Sequence, residues 1–317
     1  MRFKKILVVG IGKGSLTKET WGKIDRLTEK KVLLPADSKD IQKHLSTTDC
    51  LLVSLGITVD KKIIDHAPKL KYIGALSTGY GRIDDAYTAK KRIVVCNIPG
   101  YSTEAVTEFA FAAILEHLRE VERGKNQARK GDYSEATFFG VSEIKGKKFG
   151  VIGLGQIGGR IAEIAHDGFG ADVRYWSRIR KKKYERKGIK YQEVESLIKE
   201  CDFLSLNLAY NKDTENFLNS KRIGLIKSGA VVINLAPMEL LDIKALEKRL
   251  KKGDITFILD HSDELSPAIA KRLSKYKNCI LYPPIAYTTK EATAAKQEIF
   301  VQNLENFLKG KPTNKVN

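Results

Sequence analysis

The segment GKKFGVIGLGQIGGRIAEIA constrains this chain more than any other. An apolar run at 149–152 passes directly into Gly153, Leu154, Gly155, Gln156, Ile157 and Gly158, after which apolar residues recur at helical spacing. Strand, glycine turn and helix in that order open a βαβ unit, so a fibrous or all-helical chain is excluded. Gly153 permits the tight turn, Gly155 lets a pyrophosphate reach the main chain, and Gly158 lets helix and strand pack closely. Gln156 and Ile157 begin the helix, whose free N–H groups would receive the phosphates. The segment predicts a dinucleotide-binding domain.

Which dinucleotide is a question for the end of the next strand, VRYWSR, about 20 residues on. A carboxylate there would bind ribose hydroxyls and repel a 2′-phosphate. Ser177 stands in that place, followed by Arg178 and Arg180 within RIRKKKYERKGIK. A small hydroxyl beside arginines suits a phosphate, so NADP(H) is the expected cofactor, with NAD(H) still open.

Apolar runs rich in Val, Ile and Leu recur along the chain: KILVVG, DCLLVSL, LKYIGAL, IVVCNI, KFGVIGLG, DVRYW, DFLSLNL, AVVINLA, ITFILD and CILYPP. Helical patterns separate most of them, which describes parallel sheets covered on both faces: an α/β protein with two Rossmann-like, doubly wound domains. The runs form two series. The expected division is a first domain of residues 1–98 completed by 287–317, and a nucleotide-binding domain of 99–286 inserted into it. A second glycine cluster, Gly10, Gly12 and Gly14, has neither dinucleotide nor P-loop spacing and reads as a loop after the first strand.

Hydrophobic residues make up 42% of the 317, enough to build cores and to exclude a disordered chain. The 56 Lys and Arg against 38 Asp and Glu leave a net charge of +18, which reads as a lysine-rich solvated surface; no helix-turn-helix, RNA-recognition or zinc-finger pattern supports nucleic-acid binding. Cys50, Cys96, Cys201 and Cys279 are far apart, so neither a metal site nor a disulfide framework is expected, and a reducing cytoplasm is the natural location. The MRFKK start lacks a signal-peptide cleavage site, and no apolar stretch approaches membrane-spanning length.

Taken with the glycine turn, LKYIGALSTGYGRID, IPGYSTEAVTEFAFAAIL, CDFLSLNLAYNKDTENFLN, AVVINLAPMELLDIKALEKRLKKGDI and CILYPPIAYTTKEAT resemble successive blocks of the D-isomer-specific 2-hydroxyacid dehydrogenases, including their glyoxylate and hydroxypyruvate reductase branch. The likeness covers nearly the whole chain. It implies a homodimer and hydride transfer between a nicotinamide and a 2-oxoacid, with substrate bound by Ser77, Thr78, Gly79 and Arg82, and with Leu208, Ala236 and Asp260 beside the cofactor. It also implies an Arg as carboxylate clamp, a His as proton donor and a Glu that orients the His. Here Pro237 stands at the Arg position and Pro284 at the His position; Leu265 has the Glu spacing, with Glu264 one residue short. Proline neither donates a proton nor binds an anion. His261 is the candidate replacement acid, with Asp263 or Glu264 near enough in sequence to orient it. Arg82 is a candidate anion clamp. Tyr287 and Lys290 read as supporting residues. Two functions stay open: a reductase, NADPH-linked, rebuilt for a carbonyl other than a simple 2-oxoacid, and a cofactor-binding pseudoenzyme serving as a regulatory or interaction protein.

Overall fold

The computed structural model describes residues 1–133 and 142–317. They divide into two compact units, one formed by Met1–Ser102 with Thr289–Asn317 and the other by Thr103–Thr288.

The first unit is a parallel sheet of β1 (Ile6–Val9), β2 (Lys31–Leu34), β3 (Cys50–Val53), β4 (Tyr72–Ala75) and β5 (Val94–Cys96), in the order β2-β1-β3-β4-β5. Side chains alternate across a strand, and β1 shows the result: Ile6 and Val8 join one core while Leu7 and Val9 join the opposite one. Helix α1 (Lys18–Arg26) and the C-terminal helix Lys290–Leu308 cover the first face through Trp21, Ile24, Phe300 and Leu304. Helices α2 (Ile41–Leu45) and α3 (Lys61–Asp65) cover the second through Leu45 and Ile64. Burial on both faces explains why these strands read as unbroken apolar runs.

The second unit is a parallel sheet of β6 (Lys148–Ile152), β7 (Asp172–Trp176), β8 (Lys190–Tyr191), β9 (Phe203–Leu206), β10 (Val231–Asn234), β11 (Thr256–Leu259) and β12 (Cys279–Leu281). Its order is β12-β11-β10-β9-β6-β7-β8, a Rossmann arrangement whose strand order reverses between β6 and β9. One face packs Leu197, Leu204, Leu246 and Phe257, the other Phe149, Ile161, Tyr175 and Val173. The α/β, two-sheet expectation holds. The structure adds two edge strands, β2 and β8: β2 is only half-buried and β8 has two residues, so neither carries a full core-strand pattern.

Candidate active site

The glycine turn sits at the reversal point of the second sheet. Gly153 has φ +93°, and a Cβ there would lie 2.9 Å from the Asn207 carbonyl oxygen and from Leu208. A Cβ on Gly158 would collide with the Gly153 carbonyl oxygen, so this glycine brings the helix Gln156–Glu163 against the turn. A Cβ on Gly155, which caps that helix, would meet nothing within 4 Å. One glycine is thus required by the bend, one by packing, and one borders open space. That combination fits a pyrophosphate laid on the helix N-terminus, with Gln156 and Ile157 as its first residues and Leu208 beside it.

At the end of β7, Ser177 is buried and its hydroxyl donates to the Ile179 carbonyl at 2.7 Å. Arg178 is exposed and has no carboxylate partner among the described residues. Arg180 is engaged: its guanidinium donates to both Glu185 oxygens at 3.0 and 2.9 Å and lies over the Tyr191 ring. Of the two arginines, Arg178 is the one available to a phosphate. Tyr184 packs where a Cβ on Gly159 would stand, tying this basic segment to the phosphate helix.

Beyond β10, Asn234 is buried and braces its own loop, donating to the Ala236 carbonyl at 2.7 Å and accepting from the Ala236 N–H at 3.3 Å. Pro237 follows, half-buried, with φ −53°. Beyond β11, Asp260 is 2% exposed and accepts from the Ala286 N–H at 3.2 Å. His261 Nε2 lies 3.5 Å from Asp260 Oδ2, and its Nδ1 lies 4.0 Å from Glu264 Oε1. Glu264 Oε2 accepts from the Met238 N–H at 2.8 Å. Burial pushes the carboxyls of Asp260 and Glu264 above the usual carboxylate range, against the pull of the neighbouring imidazole and backbone N–H groups. Leu265, which has the spacing that the resemblance gives the orienting Glu, is a core residue; Glu264 lies beside the ring on one side and Asp260, nearer, on the other. Of the two orienting groups expected for His261, Glu264 is beside it, and Asp260 is a third that sequence order did not single out. Pro284 is half-buried one residue before Ile285, whose N–H donates to the Pro283 carbonyl.

In the first unit, the Ser77 hydroxyl donates to the Gly79 carbonyl at 2.6 Å and the Thr78 hydroxyl to the Ile98 carbonyl at 3.1 Å. Arg82 is exposed, and its carbonyl accepts from Val59 N–H at 2.9 Å. Residues 77–82 therefore form one loop, beyond the carboxyl end of β4.

The model of the D-isomer specific 2-hydroxyacid dehydrogenase NAD binding domain matches residues 111–286. The chain belongs to this family. A glyoxylate reductase of Thermococcus litoralis is 36% identical over 279 residues, covering 85% of this chain and 83% of that protein. A glyoxylate reductase of Pyrococcus horikoshii is 33% identical over 276 residues, covering 84% and 82%. Among solved structures, an acyclic imino acid reductase in complex with NADPH and D-Arg has a TM-score of 0.85 at 30% identity, covering 99% of this chain and all of that one. A D-lactate dehydrogenase from Aquifex aeolicus, complexed with NAD and lactic acid, has 0.85 at 26%, covering 96% of each. The 2-hydroxyacid dehydrogenase fold and a nicotinamide-binding second unit follow. Among the described residues no helix is long and apolar enough to cross a membrane.

Proposed function

We propose that this 2-hydroxyacid dehydrogenase homologue is an NADPH-linked reductase whose substrate is a protonated imine of a 2-oxoacid rather than the oxoacid itself. The observation that carries the reading is the charge at the ends of β10 and β11. Prolines stand where the family resemblance expects an Arg and a His, while Asp260 and Glu264 flank His261. An oxoacid needs a cation and a proton donor for the oxyanion that develops during reduction. A protonated C=N brings its own proton and develops no negative charge; its π pair becomes the nitrogen lone pair. What it needs is an anion, and Asp260 and Glu264 are two carboxyls whose charged form a bound cation would favour. The acyclic imino acid reductase with NADPH and D-Arg, 30% identical to this chain, supports the same substrate class.

The roles of the chain's own residues follow. Gly153, Gly155, Gln156, Ile157 and Gly158 hold the pyrophosphate, and Leu208, Ala236 and Asp260 line the cofactor. Arg178 would bind a 2′-phosphate for which the small Ser177 leaves room; Ser177 would donate to it only if released from the Ile179 carbonyl, and Arg180 only if released from Glu185. A reduced nicotinamide held by these residues would supply the hydride. The main chain of Ser77, Thr78 and Gly79, together with Arg82, would hold the substrate carboxylate, the Ser77 and Thr78 hydroxyls being engaged by the Gly79 and Ile98 carbonyls. His261 keeps the two carboxyls apart; for a carbonyl substrate it would instead be the proton donor. The functional unit in this reading is a homodimer, measurable by sedimentation. Four free, buried cysteines suit a reducing cytoplasm.

The test is NADPH oxidation with glyoxylate or pyruvate, each with and without methylamine. Turnover that needs the amine, with an N-methyl amino acid as product, supports the proposal; equal rates without amine overturn it. The two prolines also favour a pseudoenzyme, and NADPH binding without turnover in either arm would establish that second reading.

A further inference from the structure

The sheet of the first unit has a reversal point of its own. β1 lies between β2 and β3; the chain leaves β1 towards α1 on one face and leaves β3 towards α3 on the other. A crevice forms beyond the carboxyl ends of strands at such a point. A cavity of ≈ 450 Å³ lies there, with Val9 and Val53, the last residues of β1 and β3, on its floor. Ile41 of α2, Ile63 of α3, and Ile57 and Val59 of the loop after β3 also line it. The volume is in the range of small-ligand sites.

The lining chemistry selects among ligands. Among the described residues that line the cavity, Asp37 is the one charged group, and there is neither a cation nor an aromatic ring. Asp37 is exposed and has no ion-pair partner among the described residues. On a chain of net charge +18 this is a locally negative, aliphatic site. We propose that the cavity binds a small aliphatic primary ammonium compound, its chain among the Val and Ile walls and its head group on Asp37.

Occupancy would bear on the substrate loop. The Val59 N–H donates to the Arg82 carbonyl at 2.9 Å, the Asp84 N–H donates to the Val59 carbonyl at 3.0 Å, and Val59 pairs with Ile83 as a parallel bridge. Leu55, in the same loop, lies 3.7 Å from where a Gly79 Cβ would stand. A ligand packed against Ile57 and Val59 orders a segment hydrogen-bonded to residues 82–84, so the site is coupled to the 77–82 loop.

The experiment is calorimetric titration of the full chain with hexylammonium, hexan-1-ol and hexanoate, paired with amide hydrogen exchange at Val59 and Asp84. Hexylammonium is expected to bind about fivefold tighter than hexanoate, the scale of a partly exposed ion pair set against a like-charge repulsion at the same place, and to slow both amides. Asp37→Asn should erase the preference while hexan-1-ol still binds. Ala36→Trp, at an exposed lining position that leaves the core intact, should weaken all three ligands. Binding to the acidic groups of the second unit is distinguished by Glu264→Gln, which should leave hexylammonium affinity unchanged. Equal affinity for amine and carboxylate, no binding, or binding indifferent to Ala36→Trp overturns the proposal.

Discussion

Two glycines of the dinucleotide turn, three residues apart, should fail in opposite ways when given one methyl group. At Gly158 the added carbon meets the Gly153 carbonyl oxygen and comes within 3.1 Å of the Gly153 carbonyl carbon and Val151 Cγ1. Two of these atoms are main chain of the turn itself and cannot rotate aside. Overpacking of this kind costs about 1–3 kcal/mol. For a unit of 150–250 residues each kcal/mol moves Tm by about 2–4 °C, so Gly158→Ala should lose about 2–12 °C. At Gly155 the carbon meets nothing within 4 Å, and φ −80° with ψ −153° is extended backbone open to alanine. Gly155→Ala should therefore change stability by less than about 0.5 kcal/mol. In the proposed reading its methyl nevertheless occupies the space through which a pyrophosphate would reach the N–H groups. A loss of about 1.4 kcal/mol in binding is tenfold in Kd, and at least that is expected. Thermal melts without nucleotide and fluorescence titration with NADPH separate the effects. Equal Tm losses in both variants, or undiminished NADPH affinity in Gly155→Ala, would refute the assignment of one glycine to packing and the other to ligand.

Arg178→Ala should weaken NADPH about tenfold, the scale of one charge-assisted bond, and leave NADH unchanged; equal losses in fluorescence titrations would reject a 2′-phosphate contact. With an imine substrate His261→Ala should keep kcat within a few-fold, whereas with a carbonyl substrate it should lower kcat by about 10² or more. Glu264→Gln keeps an acceptor for the Met238 N–H and removes a carboxyl raised by burial. Such a carboxyl contributes stability below its unfolded pKa, about 4.3, and loses it as pH rises through the folded value, so melts should increasingly favour the variant over that interval and level off above it. The pair Pro237→Arg and Pro284→His should favour an oxoacid over its imine in the NADPH assay, and an unchanged preference would remove these prolines from the specificity argument.

The glycine turn of the second unit was legible because its geometry is local: the bend at Gly153 and the close packing at Gly158 lie within one turn, so order along the chain is nearly order in space. The edge strands were less legible, since a half-buried β2 and a two-residue β8 carry little of the apolar signal that marks β6 or β10. Arg180 illustrates a further limit: its charge is plain in the sequence, but its pairing with Glu185 over Tyr191 exists only in the folded segment. Glu264 was visible as a residue at the wrong spacing. What spacing could not give is that Leu265 turns into the core while Glu264 reaches the Met238 N–H 26 residues away.

That bond joins two positions that the family resemblance reads as departures from its pattern. An arginine with its guanidinium near this loop would have offered Glu264 a cationic partner; with Pro237 there, Glu264 takes the next backbone N–H instead and keeps its other oxygen toward His261. The carboxyl is thereby held partly buried, its side chain 26% exposed, and that burial is the main influence raising it. In the proposed reading such a site is poorly matched to a ligand that presents an anion at the same point, because Asp260 and Glu264 already flank His261 there. It is well matched to one that presents a cation there. In the proposed reading the charge demanded of the ligand at this point is opposite to the charge of an oxyanion, and that inversion, more than the loss of any single catalytic group, would separate a retuned reductase from a decayed one.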